Sequence, residues 1–184
     1  MAASTHYIFE QLRDYEQRCK DFQPPIPAGE ETAEAWDGVV FRVGEVRLAC
    51  PIGRVEEILE VPSITPVPAT KPWLLGLANV RGNLATIADL GWFLTGARTP
   101  ISGRSRLLML RLMTRPLGIL VDEVYGQRHF TEAGQTQPQV ERLPEAMREL
   151  VSMDVEAENI RWSVFNFERL FEKQEFLGAA AETT

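Results

Sequence analysis

From Val39 onward apolar and polar positions alternate. Phe41 and Val43 flank Arg42, and Val46, Leu48, Cys50 and Ile52 alternate with Arg47, Ala49 and Pro51. A period of two is the pattern of half-buried strands. Gly44-Glu45 lies between the runs, and glycine at the first central position predicts a type II′ hairpin turn, where φ is positive. Gly53 ends the ladder before a further short strand over residues 55–61. Prolines at 62, 66, 68 and 72 then predict an extended surface loop. Strands over 74–80 and 84–88 follow, joined through Arg81-Gly82-Asn83. Asp89 is placed to cap a short helix over 90–94, and Gly96 to end it. After a loop over 95–105, strands over 106–113 and 117–124 pair across Thr114-Arg115-Pro116, and a second β lobe is expected to begin there.

The flanks read differently. Ile8, Leu12, Tyr15 and Cys19 recur at helical spacing, and Pro24, Pro25, Pro27 and Gly29 follow as a linker. The expected organisation is therefore an N-terminal helical arm and Pro-rich linker over 1–37, a β domain over 38–177 and a tail over 178–184. Within the domain, 131–138 reads as a mobile loop, 144–150 as a short helix with proline first, and 161–167 as the last strand. Ile87-Ala88-Asp89-Leu90 is echoed by Val164-Phe165-Asn166-Phe167 at an offset of 77. Both copies read as strand, cap and short helix, as two similar packed lobes would give.

Composition narrows the function. The 184 residues are 45% hydrophobic and carry a net charge of −7, against binding to nucleic acid or anionic lipid, which needs clustered cations. Only 3 of the 19 basic residues are lysine, and arginine forks suit fixed contacts with protein groups. Cys19 and Cys50 form no CxxC pair, and no segment has the length of apolar sequence that a spanning helix needs, so a cytoplasmic protein without membrane insertion is expected. His6 and His129 stand apart from other metal-ligand types, and no phosphate-binding glycine motif occurs. Asp122 and Glu123, adjacent on a strand, are expected to face opposite sides and so not to share a substrate. Trp73, Trp92, Phe93 and Trp162 sit at junctions where burial is expected, away from any basic run. Neither an enzyme nor a cofactor or metal is implied. A barrel binding a small ligand or nucleic acid is the rival reading, and the acidic charge opposes its nucleic-acid form.

Residues 55–90, VEEILEVPSITPVPATKPWLLGLANVRGNLATIADL, resemble the signature block of CheW-like domains. The match rests on the strand with Glu57-Ile58, the x-P-V-P loop, Gly76, the N-V-R-G turn from Asn79 to Gly82, and Asp89-Leu90. Leu117 to Val124 is similar to the family's second hallmark strand. Val80, Thr86 and Asn83-Leu84-Ala85 depart from the usual pattern, and together with the arm they look most like the branch serving the type IV pilus chemosensory system, with flagellar chemotaxis as the alternative.

The resemblance implies an all-β fold with short helices, built from two SH3-like five-stranded β-barrels packed together. It implies a non-enzymatic adaptor, recruited from the cytoplasm to receptor arrays, that couples the cytoplasmic tip of a chemoreceptor to the regulatory domain of a CheA-type histidine kinase. By position, Val55, Glu57, Asn79, Arg81 and Val124 are the expected receptor contacts, and Leu74, Leu75 and Leu77 the expected kinase contacts. Each has a plainer reading. Val55 and Val124 are equally consistent with core burial, burial in the barrel is the stronger reading of the three leucines, and Glu57 and Arg81 are also consistent with a pair that braces the turn. Gly82 is expected to serve the turn alone.

Overall fold

The computed structural model describes residues 35–112 and 115–179; the expected arm helix with His6 and Cys19, and the end of the tail, lie outside them. Among the described residues the chain forms β1 (Trp36–Val43), β2 (Val46–Pro51), β3 (Glu57–Glu60), β4 (Leu74–Val80), β5 (Asn83–Asp89), α1 (Leu90–Thr95), β6 (Arg106–Leu112), β7 (Arg115–Val121) and β8 (Glu123–Phe130). It continues with β9 (Gln135–Thr136), α2 (Glu145–Arg148), β10 (Val151–Ala157), β11 (Ile160–Phe165), α3 (Phe167–Glu172) and α4 (Gln174–Leu177).

The strands form two sheets, in the orders β8-β1-β2-β11-β10-β9 and β3-β6-β7-β5-β4. One lobe thus has the five strands expected, and the other has a sixth, the two-residue stub β9. The assignment of strands to lobes corrects the sequence reading: Arg106 does not open a second lobe. β6 pairs antiparallel with β3, and β7 lies parallel to β5, with Thr86 opposite Leu117. The other lobe combines β1 and β2 with β8 to β11, closed by a parallel contact of Ser163 with Leu48. Alternation along a strand names its faces but not its neighbour, so these long-range pairings were invisible in the sequence.

Three clusters of side chains hold the domain. Val40, Ala49, Phe130, Val155, Trp162 and Val164 pack inside the six-stranded lobe. Ala78, Ala85, Ile87, Leu107, Met109 and Leu120 fill the five-stranded one. The largest cluster is the seam between sheets, where Phe41, Val43 and Leu48 meet Leu108, Leu110 and Ile119, together with Leu90, Phe167 and Leu170 of the helices. Central strands send alternate residues to a lobe interior and to the seam, which is why β6 and β7 read as near-continuous apolar runs.

Local signals were largely met. Gly44 has φ +58 at the first central position of the β1–β2 turn. The β4–β5 connection is tighter than the three residues expected: Arg81 (φ +50) and Gly82 (φ +84) are its two central residues, and Val80 pairs with Asn83. Gly76 has φ +137, and a Cβ there would lie 2.1 Å from the carbonyl oxygen of Thr65, so only glycine lets the Pro-rich loop bridge to Leu77. Asp89, fully buried, accepts from the backbone N–H of Trp92 and Thr99 and from the Thr99 hydroxyl. Its echo Asn166 caps α3 by accepting from Arg169 N–H. The stretch read as a mobile loop contains a 3-10 turn (Glu132–Gly134) and β9, and β10 was not anticipated.

Candidate partner-binding groove

The turn, the edge strand and the seam converge on one side of the five-stranded lobe. Asn79 Oδ1 accepts from Gly82 N–H at 2.8 Å and holds the tight turn. The turn projects Arg81 toward β3, where its Nη2 donates to Glu57 Oε1. Arg81 remains 75% exposed and Glu57 26%. The alternative in which these two residues pair is therefore realised, with the guanidinium still open to solvent.

Beside this pair lies a depression of about 370 Å3, walled by Glu56, Glu57, Arg81, Leu84, Met109 and Arg111. A second depression of about 230 Å3 shares Glu56 and Arg111 and runs on past Arg54 and Leu110 to Phe167, Glu168 and Phe171. The two lie side by side with the Glu56–Arg111 pair as a common wall, and their linings reach from the β4–β5 turn to α3; together they are termed the groove. Ion pairs line it: Arg111 with Glu56 at 2.8 Å, and Arg54, just after β2, with Glu168 of α3 at 2.5 Å. Leu84, 64% exposed, and half-buried Phe171 supply apolar surface at either end. Such a trough, apolar at its ends and ionic along its walls, suits a helix with alternating apolar and charged residues. Near its far end Cys50 is buried, and desolvation, followed by the charge of Glu168, pushes its thiol up to about 12.

Of the sequence-expected receptor contacts, Glu57, Asn79 and Arg81 are brought together at this rim, with Gly82 in the turn itself. Val55 directly follows the 3-10 turn Ile52–Arg54 beside the groove, half-buried against the seam. Val124 lies on β8 opposite Phe41, packed on the seam but outside the groove walls. Leu74, Leu75 and Leu77 lie on β4, the edge strand of the five-stranded sheet. All are half-buried, and Leu75 packs on the lobe core.

Sequence reasoning missed Arg54, Glu56, Leu84, Arg111 and Phe171. Leu84 carried a signal, a large apolar residue directly after a turn. Glu56 and Arg111 needed the pairing of β3 with β6 to be known, and Arg54 and Phe171 the packing of α3 on the seam. Asp122 and Glu123 also require correction: the chain kinks between β7 and β8, and both carboxylates approach the Arg42 guanidinium, at 3.9 and 3.6 Å. Among the described residues no group of His, Cys, Asp and Glu is arranged to hold a metal, and no helix is long and apolar enough to cross a membrane.

A family model described as "CheW-like domain" matches residues 37–175. The chain is 34% identical over 172 residues to Protein PilI of Pseudomonas aeruginosa, covering 94% of this chain and 96% of that protein. Over 92 residues it is 29% identical to Chemotaxis protein CheW of Thermotoga maritima, covering 50% and 60%. Among solved structures, the scaffolding protein TtCheW from Thermoanaerobacter tengcongensis superposes with a TM-score of 0.66 at 22% identity, over 77% of this chain and 96% of that one, a likeness of fold.

Proposed function

The chain belongs to the CheW-like family of non-enzymatic scaffold adaptors, and on that premise we propose that it couples a chemoreceptor tip to a CheA-type histidine kinase. The observation that carries this reading is the pair of adjoining depressions with Glu57, Asn79 and Arg81 at one rim. A receptor tip is a helical hairpin; laid in the groove, it sets apolar side chains against Leu84 and Phe171 and polar ones against the ionic walls. Val55 and Val124 then contribute through the seam they pack on. The kinase regulatory domain contacts β4 through Leu74 and Leu77, with Leu75 supporting them from the core side. Two surfaces on one small body hold receptor and kinase together and raise their effective concentration at the array.

The output we assign is type IV pilus twitching, because the similarity to Protein PilI runs over nearly the whole chain while that to Chemotaxis protein CheW covers half. The protein itself is placed in the cytoplasm and reaches the membrane through its receptor.

The test is binding of a receptor cytoplasmic fragment to wild type, Leu84→Asp and Phe171→Ala, with circular dichroism to establish folding. Loss of receptor binding by the folded variants, with kinase binding kept, is the expected result. Wild-type affinity in both variants overturns the groove assignment.

A further inference from the structure

A separate charged depression, of about 360 Å3, opens on the six-stranded lobe, away from the groove. Its wall carries Arg42, Arg47, Arg142 and Arg161, from β1, β2, the turn before α2, and β11. Two nearby groups are already committed. Arg42 is held by Asp122, Glu123 and the Gly44 carbonyl. Asp154, 2% exposed, accepts from Gln139 N–H and the Ser163 hydroxyl. Arg47, Arg142 and Arg161 are exposed, and none takes part in an ion pair among the described residues. Glu45 is the one other acid in the wall among the described residues.

This cluster of arginines stands in a chain of net charge −7. Arg42 and Arg47 lie directly opposite on the β1–β2 ladder, where like charges repel. Arg42 is answered by its own acids, so the charge left open in the wall is that of Arg47, Arg142 and Arg161, and a ligand that matches it is anionic. We infer that this depression docks a short acidic segment of a partner protein, its side-chain carboxylates gripped by the Arg47, Arg142 and Arg161 forks. An open mouth with exposed guanidiniums suits an extended peptide better than an enclosed small ion, and paired N–H donors match carboxylate geometry. Exposed Tyr125 in the same wall gives the peptide an apolar surface.

The test uses the full chain and fluorescein-labelled hexaglutamate, with hexaglutamine as the neutral probe, read by anisotropy. Three proteins are compared: wild type, R47Q/R142Q/R161Q, and R98Q/R104Q/R115Q, which has the same net charge but keeps the depression. Hexaglutamate is expected to bind wild type and the second variant alike, and the first about tenfold or more weakly, with affinity falling as salt rises. Single Arg142→Gln, on an exposed turn, is expected to show a smaller loss of the same sign. Arg81→Ala is expected to leave this binding intact, which separates the inference from the groove reading. Equal weakening by both triple variants, equal binding of hexaglutamine, or displacement by inorganic pyrophosphate below the effective hexaglutamate concentration overturns it.

Discussion

Arg81, at the tip of the β4–β5 turn, donates from Nη2 to Glu57 Oε1 on β3 across 24 positions of sequence. The pair ties a hairpin tip to an edge strand and still leaves the guanidinium three-quarters exposed. An exposed pair of this kind contributes on the order of 0.5 kcal/mol to stability. Arg81→Ala is accordingly expected to move the urea midpoint little while reducing receptor-fragment binding several-fold. A loss of stability above about 2 kcal/mol with unchanged binding would show that the pair only braces the turn.

Gly76 predicts a steep cost. Its backbone is left-handed, and a Cβ there meets the Thr65 carbonyl. Gly76→Ala is expected to destabilise the fold by roughly 3 kcal/mol, through displacement of the Pro-rich loop. Gly82→Ala, in a turn where a Cβ meets nothing within 4 Å, is expected to cost about 1 kcal/mol. Equal midpoints for the two variants in chemical denaturation would contradict this ordering.

The two caps also separate. Asp89 is buried and satisfies three donors, whereas Asn166 satisfies the Arg169 N–H at a more open position. Asp89→Ala is expected to cost about 3 kcal/mol and Asn166→Ala about 1 kcal/mol. Denaturation of the two variants side by side checks the ratio.

Burial, and then the Glu168 charge, raise the Cys50 thiol to about 12. Its folded value lies above its unfolded one, so the protonated thiol favours the fold at neutral pH, and that contribution is lost as pH climbs from about 9 toward 12. Native Cys50 is expected to resist iodoacetamide at pH 8, as read by peptide mapping, and to react once urea unfolds the chain. Rapid native alkylation would refute the burial.

What could be read from the sequence was local. The β1–β2 turn, the Asp89 and Asn166 caps and the Asn79–Gly82 turn are specified by residues close in sequence, and each formed where expected except that the β4–β5 turn is one residue tighter. β10 escaped because a register shift between Val151 and Asp154 breaks its alternation, and because Asp154 is a carboxylate buried on hydrogen bonds that the sequence does not display. The groove was only half legible. Glu57, Asn79 and Arg81 were named on motif positions, but Arg54, Glu56 and Arg111 enter it through β3–β6 pairing and the lobe seam, which follow from long-range contacts.

The central claim is that one chain holds receptor and kinase at once, and analytical ultracentrifugation of the three components tests it most directly. A receptor cytoplasmic fragment and a kinase regulatory domain from the same cell are sedimented with and without this protein. The account predicts a ternary species that forms only when the chain is present and is lost with Leu84→Asp. Two mutually exclusive binary complexes, or no complex with either partner, would contradict it.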